Sequence, residues 1–147
     1  FELNPLSLQR LGLPQAIREL IRTVPAESKL KITFEENISR DRLNPDLEMA
    51  IYRILQEALS NIIKYAEASQ VDLRLNLKKD HLYFSIRDDG KGFDPGIHWE
   101  RESATGGFGL TNMEERVTQL GGTFHLETAI DQGVTIRITF PRKITHA

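Results

Sequence analysis

The stretch Pro45–Ala66, PDLEMAIYRILQEALSNIIKYA, carries the strongest local signal in the chain. Asn44 offers a side-chain acceptor to cap a helix, and Pro45 brings a preset φ to its first turn. Asp46 and Glu48 follow where the helix dipole favours negative charge. Leu47, Ile51, Ile54, Leu55, Ala58, Leu59 and Ile62 then form a broad apolar stripe, which predicts a helix from Pro45 to about Ala66. A second stripe runs along its edge. Glu57, Asn61 and Lys64 lie within roughly 60° of one another at about 100° per residue. An acid, an amide oxygen and an ammonium on one rim suit a hydrated Mg²⁺ and a polyphosphate. Mg²⁺ takes oxygen ligands and keeps several waters, and Lys64 supplies point charge to phosphate. The same residues equally describe a solvated helix flank with an i,i+7 charge pair.

Downstream, Val71 to Leu77 and Leu82 to Ile86 alternate apolar and polar residues, with Lys78 to Asp80 between them, as in a β-hairpin. The second strand runs straight into Asp88-Asp89-Gly90-Lys91-Gly92-Phe93. Glycines one residue apart let the backbone turn with positive φ and approach a ligand closely. A carboxylate at such a strand end can accept from an exocyclic amine, and adenine offers one. A plain strand-ending turn is the alternative. A calcium loop is not, because its Asp-x-Asp-x-Asp-Gly spacing and distal Glu are absent. Asp94 to Gly109 shows little periodicity and reads as a lid or a disordered segment. Gly106-Gly107-Phe108-Gly109-Leu110 then leads into a helix spaced on Leu110, Met113, Val117 and Leu120, which Gly121-Gly122 stops. Amides at that helix start suit an anion; a flexible linker is the other reading. The glycines match neither a Walker loop nor a dinucleotide fingerprint. Thr123 to Thr128 and Val134 to Phe140 form a second hairpin around Asp131-Gln132-Gly133, and Pro141 ends it.

Upstream, Leu6 to Val24 reads as helix, opened strongly by Leu13 and Pro14 and ended by Pro25. Lys29 to Glu35 alternates as a half-buried strand, and Ser39 to Asp46 is a polar connection. Strands grouped in hairpins between helices predict an α+β fold: a two-layer α/β sandwich, its sheet mixed but mostly antiparallel, with helices on one face.

The composition fits one soluble domain of 147 residues, 39% apolar and 27% charged. A net charge of −2 argues against a nucleic-acid surface built on bulk positive charge. The absence of Cys excludes disulfides, thiolate metal sites and Cys nucleophiles. The longest apolar run, Met49 to Tyr52, is far short of the roughly 20 residues that span a bilayer. His81, His98, His125 and His146 are scattered without ligand spacing, His81 and His146 are expected exposed, and Trp99 reads as a local anchor. Phe1 is not a natural start, so an excised domain of a longer protein is expected.

Arg53-Ile54-Leu55-Gln56-Glu57-Ala58-Leu59-Ser60-Asn61-Ile62-Ile63-Lys64-Tyr65-Ala66 resembles the asparagine box of histidine kinases. Asp88 to Phe93 resembles their first glycine box and Gly107-Phe108-Gly109-Leu110 their second, in the family's order. Asn112-Met113-Glu114-Glu115-Arg116 with Leu120-Gly121-Gly122 is similar to the kinases that pair with NarL-type response regulators, as is the opening Leu3-Asn4-Pro5-Leu6 with Leu11-Gly12-Leu13. The resemblance implies the Bergerat fold of the gyrase, Hsp90, histidine kinase and MutL superfamily, spanning residues 1–147 without the phosphoacceptor dimerisation domain. It implies Mg·ATP as ligand, with Asn61 on Mg²⁺ and Lys64 and Tyr65 bordering phosphates and ribose. Asp88 would accept from the adenine amine, and Gly90, Lys91, Gly92 and Phe93 would form the base pocket. Gly107, Phe108, Gly109 and Leu110 would wrap the phosphates and hinge the lid. Glu57 would be the acid that orients water or metal. The family often has Gly-Thr before its last strand, the Thr near adenine. Here Val134 follows Gly133, and Thr135 falls one residue later on the opposite face, so that contact is implied to be lost or bridged by water.

The implied function is supply of the γ-phosphate of ATP to a histidine on the dimerisation domain of the parent sensor kinase. A response regulator follows downstream, the location is cytoplasmic, and neither nucleic acid nor membrane touches this domain. An ATP-hydrolysing module, a Ser/Thr anti-sigma-type kinase and a degenerate interaction module are the alternatives within the same fold.

Overall fold

The computed structural model describes residues 5–38, 42–79, 81–94 and 109–141. Helices α1 (Pro5–Leu11) and α2 (Leu13–Arg22) lead through a 3₁₀ turn at Ala26–Ser28 into β1 (Lys31–Glu36). Helix α3 (Pro45–Asn61) passes into a π-helical turn at Ile62–Ala66. Strands β2 (Gln70–Lys78) and β3 (His81–Asp88) follow, then α4 (Leu110–Gln119), β4 (Thr123–Thr128) and β5 (Val134–Pro141).

The five strands form one sheet in the order β1-β2-β3-β5-β4. β1 runs parallel to β2, and the remaining neighbours are antiparallel. Alternation decides the layering. Leu73, Ile86 and Ile136 share a cross-strand row and point into the core, as do Leu75, Phe84 and Ile138. Their neighbours Arg74, Ser85 and Arg137 fall on the other face, where Thr33 donates to Asp72 at 2.6 Å and Arg137 pairs with Glu127. One face of the sheet is therefore apolar and covered by helices, as an α+β sandwich requires. Ile17 and Leu20 of α2, Ile51, Leu55 and Leu59 of α3, and Met113 and Val117 of α4 pack in the same core.

Three local readings change. The expected helix Leu6–Val24 is two helices, because Gly12 stands between them at φ 83. The connection Ser39–Asp46 is less polar than its letters: Leu43 is buried, as is Ile38 just before it. The helix expected through Ala66 keeps its α-turns only to Asn61 and then widens. In addition, the first strand is shifted to Lys31–Glu36, and His81, expected exposed between strands, is the half-buried first residue of β3.

Candidate functional site

Four peptide segments converge on a cavity of about 440 Å³: the end of α3, the turn after β3, the start of α4 and the β4–β5 turn. From α3 and its π-turn come Ala58, Asn61, Ile62 and Tyr65, spaced i, i+3, i+4 and i+7 along one helical face. From β3 come Ile86 and Asp88, and beside them in the ladder Ile136 and Val134 of β5. Leu110 closes the side formed by α4.

Asp88 is the cavity's buried acid, 5% exposed. It accepts from the Gly90 amide at 2.8 Å and from the Val134 amide. Two amides leave acceptor capacity on a carboxylate with about four lone-pair sites. Burial pushes its pKa up, against the two amides that pull it down. Asp89, next in sequence, has the opposite fate. It is exposed and accepts from the amides of Ser69 and Gln70 at 2.8 and 3.0 Å and from the Ser69 hydroxyl at 2.7 Å. The Gln70 amide and the Ser69 hydroxyl hold its carboxyl below the usual range.

The glycines after Asp88 serve close approach. A methyl group on Gly90 would run into the Ala66 carbonyl, which accepts from the Lys91 amide at 2.8 Å. Gly92 has φ 59, and a methyl there would strike the Ala129 carbonyl. The Lys91 carbonyl accepts from the Asp131 amide at 2.6 Å. Lys91 thus ties the end of α3 on one side to the β4–β5 turn on the other.

Of the residues singled out in the sequence, Asn61, Tyr65, Asp88, Lys91, Gly92, Phe93 and Leu110 line this one cavity. Gly90 supports it from behind. Gly109 precedes Leu110 at φ 69, a conformation that favours glycine, with the Glu57 carboxylate lying beside it. Glu57 and Lys64 are exposed and absent from the cavity wall. The rim 57/61/64 assumed an unbroken α-helix, whereas the i→i+5 turn beyond Asn61 rotates less per residue and carries Lys64 away. Thr135 pairs with Arg87 and Glu127 on the other face of the sheet, so Val134 fills its place in the wall. Gly107 and Phe108 lie outside the described residues, as do His98, Trp99 and His146.

Sequence reasoning passed over Ala58, Ile62, Ile86, Val134, Ile136, Asp94 and Ile130 as wall residues. Helical spacing from Asn61 to Ala58 and the pairing of Asp88 with Val134 would have found two of them, and alternation along β3 and β5 adds Ile86 and Ile136. Ile130, 66% exposed in a turn, had no such signal. Among the described residues no group of three or more His, Cys, Asp or Glu is placed to hold a metal ion. No helix among them is long and apolar enough to cross a membrane.

Residues 46–144 match the family model described as histidine kinase-, DNA gyrase B-, and HSP90-like ATPase. The chain is 35% identical over 141 residues to the signal transduction histidine-protein kinase/phosphatase DegS of Bacillus subtilis (strain 168), covering 94% of this chain and 36% of that protein. It is 37% identical over 142 residues to the signal transduction histidine-protein kinase/phosphatase UhpB of Salmonella typhimurium (strain LT2), covering 96% of this chain and 27% of that one. The chain therefore spans about a third or less of the length of these curated relatives. Among solved structures, the catalytic domain of the histidine kinase ThkA superposes with a TM-score of 0.67 at 18% identity, covering 88% of this chain and 92% of that one. Full-length ShkA in complex with AMPPNP superposes with a TM-score of 0.70 at 20% identity, covering 92% and 30%.

Proposed function

The chain belongs to the family of histidine kinase-, DNA gyrase B- and HSP90-like ATPases, and on that premise we propose that it is the ATP-binding catalytic domain of a sensor histidine kinase, taking Mg·ATP into the cavity described above. Asp88 carries the reading. A carboxylate sheltered by Ile86, Val134 and Ile136 accepts from an exocyclic amine and repels a carbonyl oxygen, which selects an aminopurine. The cavity volume lies within the roughly 300–1,000 Å³ of ordinary small-molecule sites.

Asn61 would hold Mg²⁺ through its amide oxygen, phosphate and water supplying the other ligands, which suits a wall with no carboxylate cluster among the described residues. When bound, Mg²⁺ neutralises charge on the phosphates. Lys64 and Tyr65 would border the phosphates and ribose from the π-turn, with Lys64 reaching in as a flexible side chain. Gly107, Phe108, Gly109 and Leu110 would enclose the phosphates. Glu57, against Gly109, would orient a water or the metal-bound water shell. These residues bind and orient; the nucleophile is a histidine imidazole on the dimerisation domain of the longer protein, attacking the γ-phosphorus in line. Catalysis then rests on positioning and charge neutralisation. A response regulator takes the phosphoryl group afterwards, and the use of ATP places the domain on the cytoplasmic side. The two kinases named above, of which this chain resembles one part, support this assignment.

Calorimetric titration with Mg·ADP tests the reading. The wild-type chain binds, and Asp88→Asn loses most of the affinity. Absence of binding by the wild type removes it.

A further inference from the structure

We propose that Thr128 is a positioning residue for this site: its hydroxyl locks the Gly92–Phe93 turn to the β4–β5 turn and so sets the wall on which the ligand rests. The inference rests on the reading of the cavity as a nucleotide site. Phe124, Leu126 and Thr128 share the inward face of β4, so a hydroxyl stands where the alternation calls for an apolar side chain.

That hydroxyl bonds to both turns. Thr128 Oγ1 donates to the Gly133 carbonyl at 2.7 Å and accepts from the Phe93 amide at 3.3 Å. Each partner adjoins a cavity residue. Gly133 precedes Val134, whose amide holds Asp88 and whose side chain lines the wall, and Phe93 lines the wall itself. Gly92 lets the approach happen, because a methyl group there would come within 2.9 Å of Thr128 Oγ1. Thr128 contributes nothing to the cavity wall, so its effect passes through Phe93 and Val134. Without the hydroxyl, the half-buried Phe93 amide and the carbonyl of buried Gly133 lose this shared bond together, while the bond between the Lys91 carbonyl and the Asp131 amide stays.

Thr128→Val removes the hydroxyl at nearly constant shape, and Thr128→Ser retains it. Mg·ADP dissociation constants and melting temperatures are measured for both, with Asn44→Ala, far from the cavity, as a comparably destabilised control. Thr128→Val weakens binding by about tenfold, the cost of roughly one lost hydrogen bond. Thr128→Ser stays within about twofold of the wild type, and so does Asn44→Ala. Amide hydrogen exchange without nucleotide shows faster exchange at Phe93 in Thr128→Val alone. Equal affinity in Thr128→Val and the wild type, an equal loss in Thr128→Ser, or an equal loss in Asn44→Ala overturns the proposal. Should the wild type fail to bind nucleotide, the function assigned to the cavity falls, and the Phe93 exchange rate still decides whether Thr128 holds the turn.

Discussion

Two adjacent carboxylates, Asp88 and Asp89, receive opposite environments from a strand that turns one side chain in and the next out. Asp88 goes into the cavity, where burial raises its pKa above the ordinary 3.8. Asp89 goes out to cap the start of β2, where hydrogen bonds lower it. The signs for stability differ accordingly. Asp89, and Asp72 held by the Thr33 hydroxyl and the Gln70 side chain, favour the folded state above pH 3.8, and this support is lost as pH falls through their lowered values. Asp88 acts in reverse: the folded state binds its proton more tightly, so stability declines as pH rises through its raised value. Carbon-13 titration of the side-chain carboxyls should place the Asp88 midpoint above 3.8 and those of Asp72 and Asp89 below it. A common midpoint for all three contradicts the burial argument. Gly90 is equally exacting, since any Cβ meets the Ala66 carbonyl that accepts from the Lys91 amide. Gly90→Ala should cost about 1–3 kcal/mol in urea unfolding, the usual range for overpacking against a rigid neighbour.

Among the elements, α3 shows how sequence and packing divide the work. Asn44 Oδ1 accepts from the Asp46 amide at 2.9 Å, the cap that its position announced. Asn44→Ala should destabilise by about 1 kcal/mol, read from denaturant midpoints, and no loss would mean that another group satisfies that amide. The far end of α3 was not legible, because a π-turn has no distinctive letters. Its stripe continues through Ile62, and only the ties from Ala66 to the glycine turn show that the helix must widen to reach it. The junction of α1 and α2 was half legible. Gly12 was visible as a glycine, but its role as a break comes with the Arg42 side chain packed against it. Arg42 also donates to the Gln9 carbonyl at 3.2 Å and to the buried Glu48 carboxylate at 3.1 Å. Among the described residues Glu48 Oε2 has no hydrogen-bond partner, and Arg42 is the side chain that pairs with this carboxylate. Arg42→Ala should therefore destabilise by about 1–3 kcal/mol, more than Glu48→Gln, because it leaves a buried charge uncompensated. Thermal unfolding of the two variants and the double mutant gives the coupling directly.

At the level of the molecule, the cavity belongs to no single element. Its apolar wall joins a helix face to two antiparallel strands, and Lys91 stitches the helix end to the β4–β5 turn. On the proposed reading, in which the acceptor histidine belongs to a separate dimerisation domain, the chain should bind nucleotide yet incorporate almost no label from γ-labelled ATP into itself. Transfer to any residue of this chain at rates typical of kinases, roughly 1–100 per second, would sink that division of labour. Residue order alone settled the class of the fold. The period-2 alternation of the hairpins demanded a sheet with one apolar face, and the period-3.6 stripes demanded helices to cover it. Taken box by box, the residues left Asn61, Asp88 and the paired glycines open between a ligand site and an ordinary helix flank or turn, and only their resemblance, in order, to the boxes of histidine kinases joined them as one group. Three-dimensional packing settled the rest: which of two aspartates is buried, that Val134 and not Thr135 lines the cavity, that Lys64 is exposed while Tyr65 lines the cavity, and that Thr128 joins two turns. Each of these depends on atoms far apart in the chain that meet only after folding, and local periodicity holds no record of such distances.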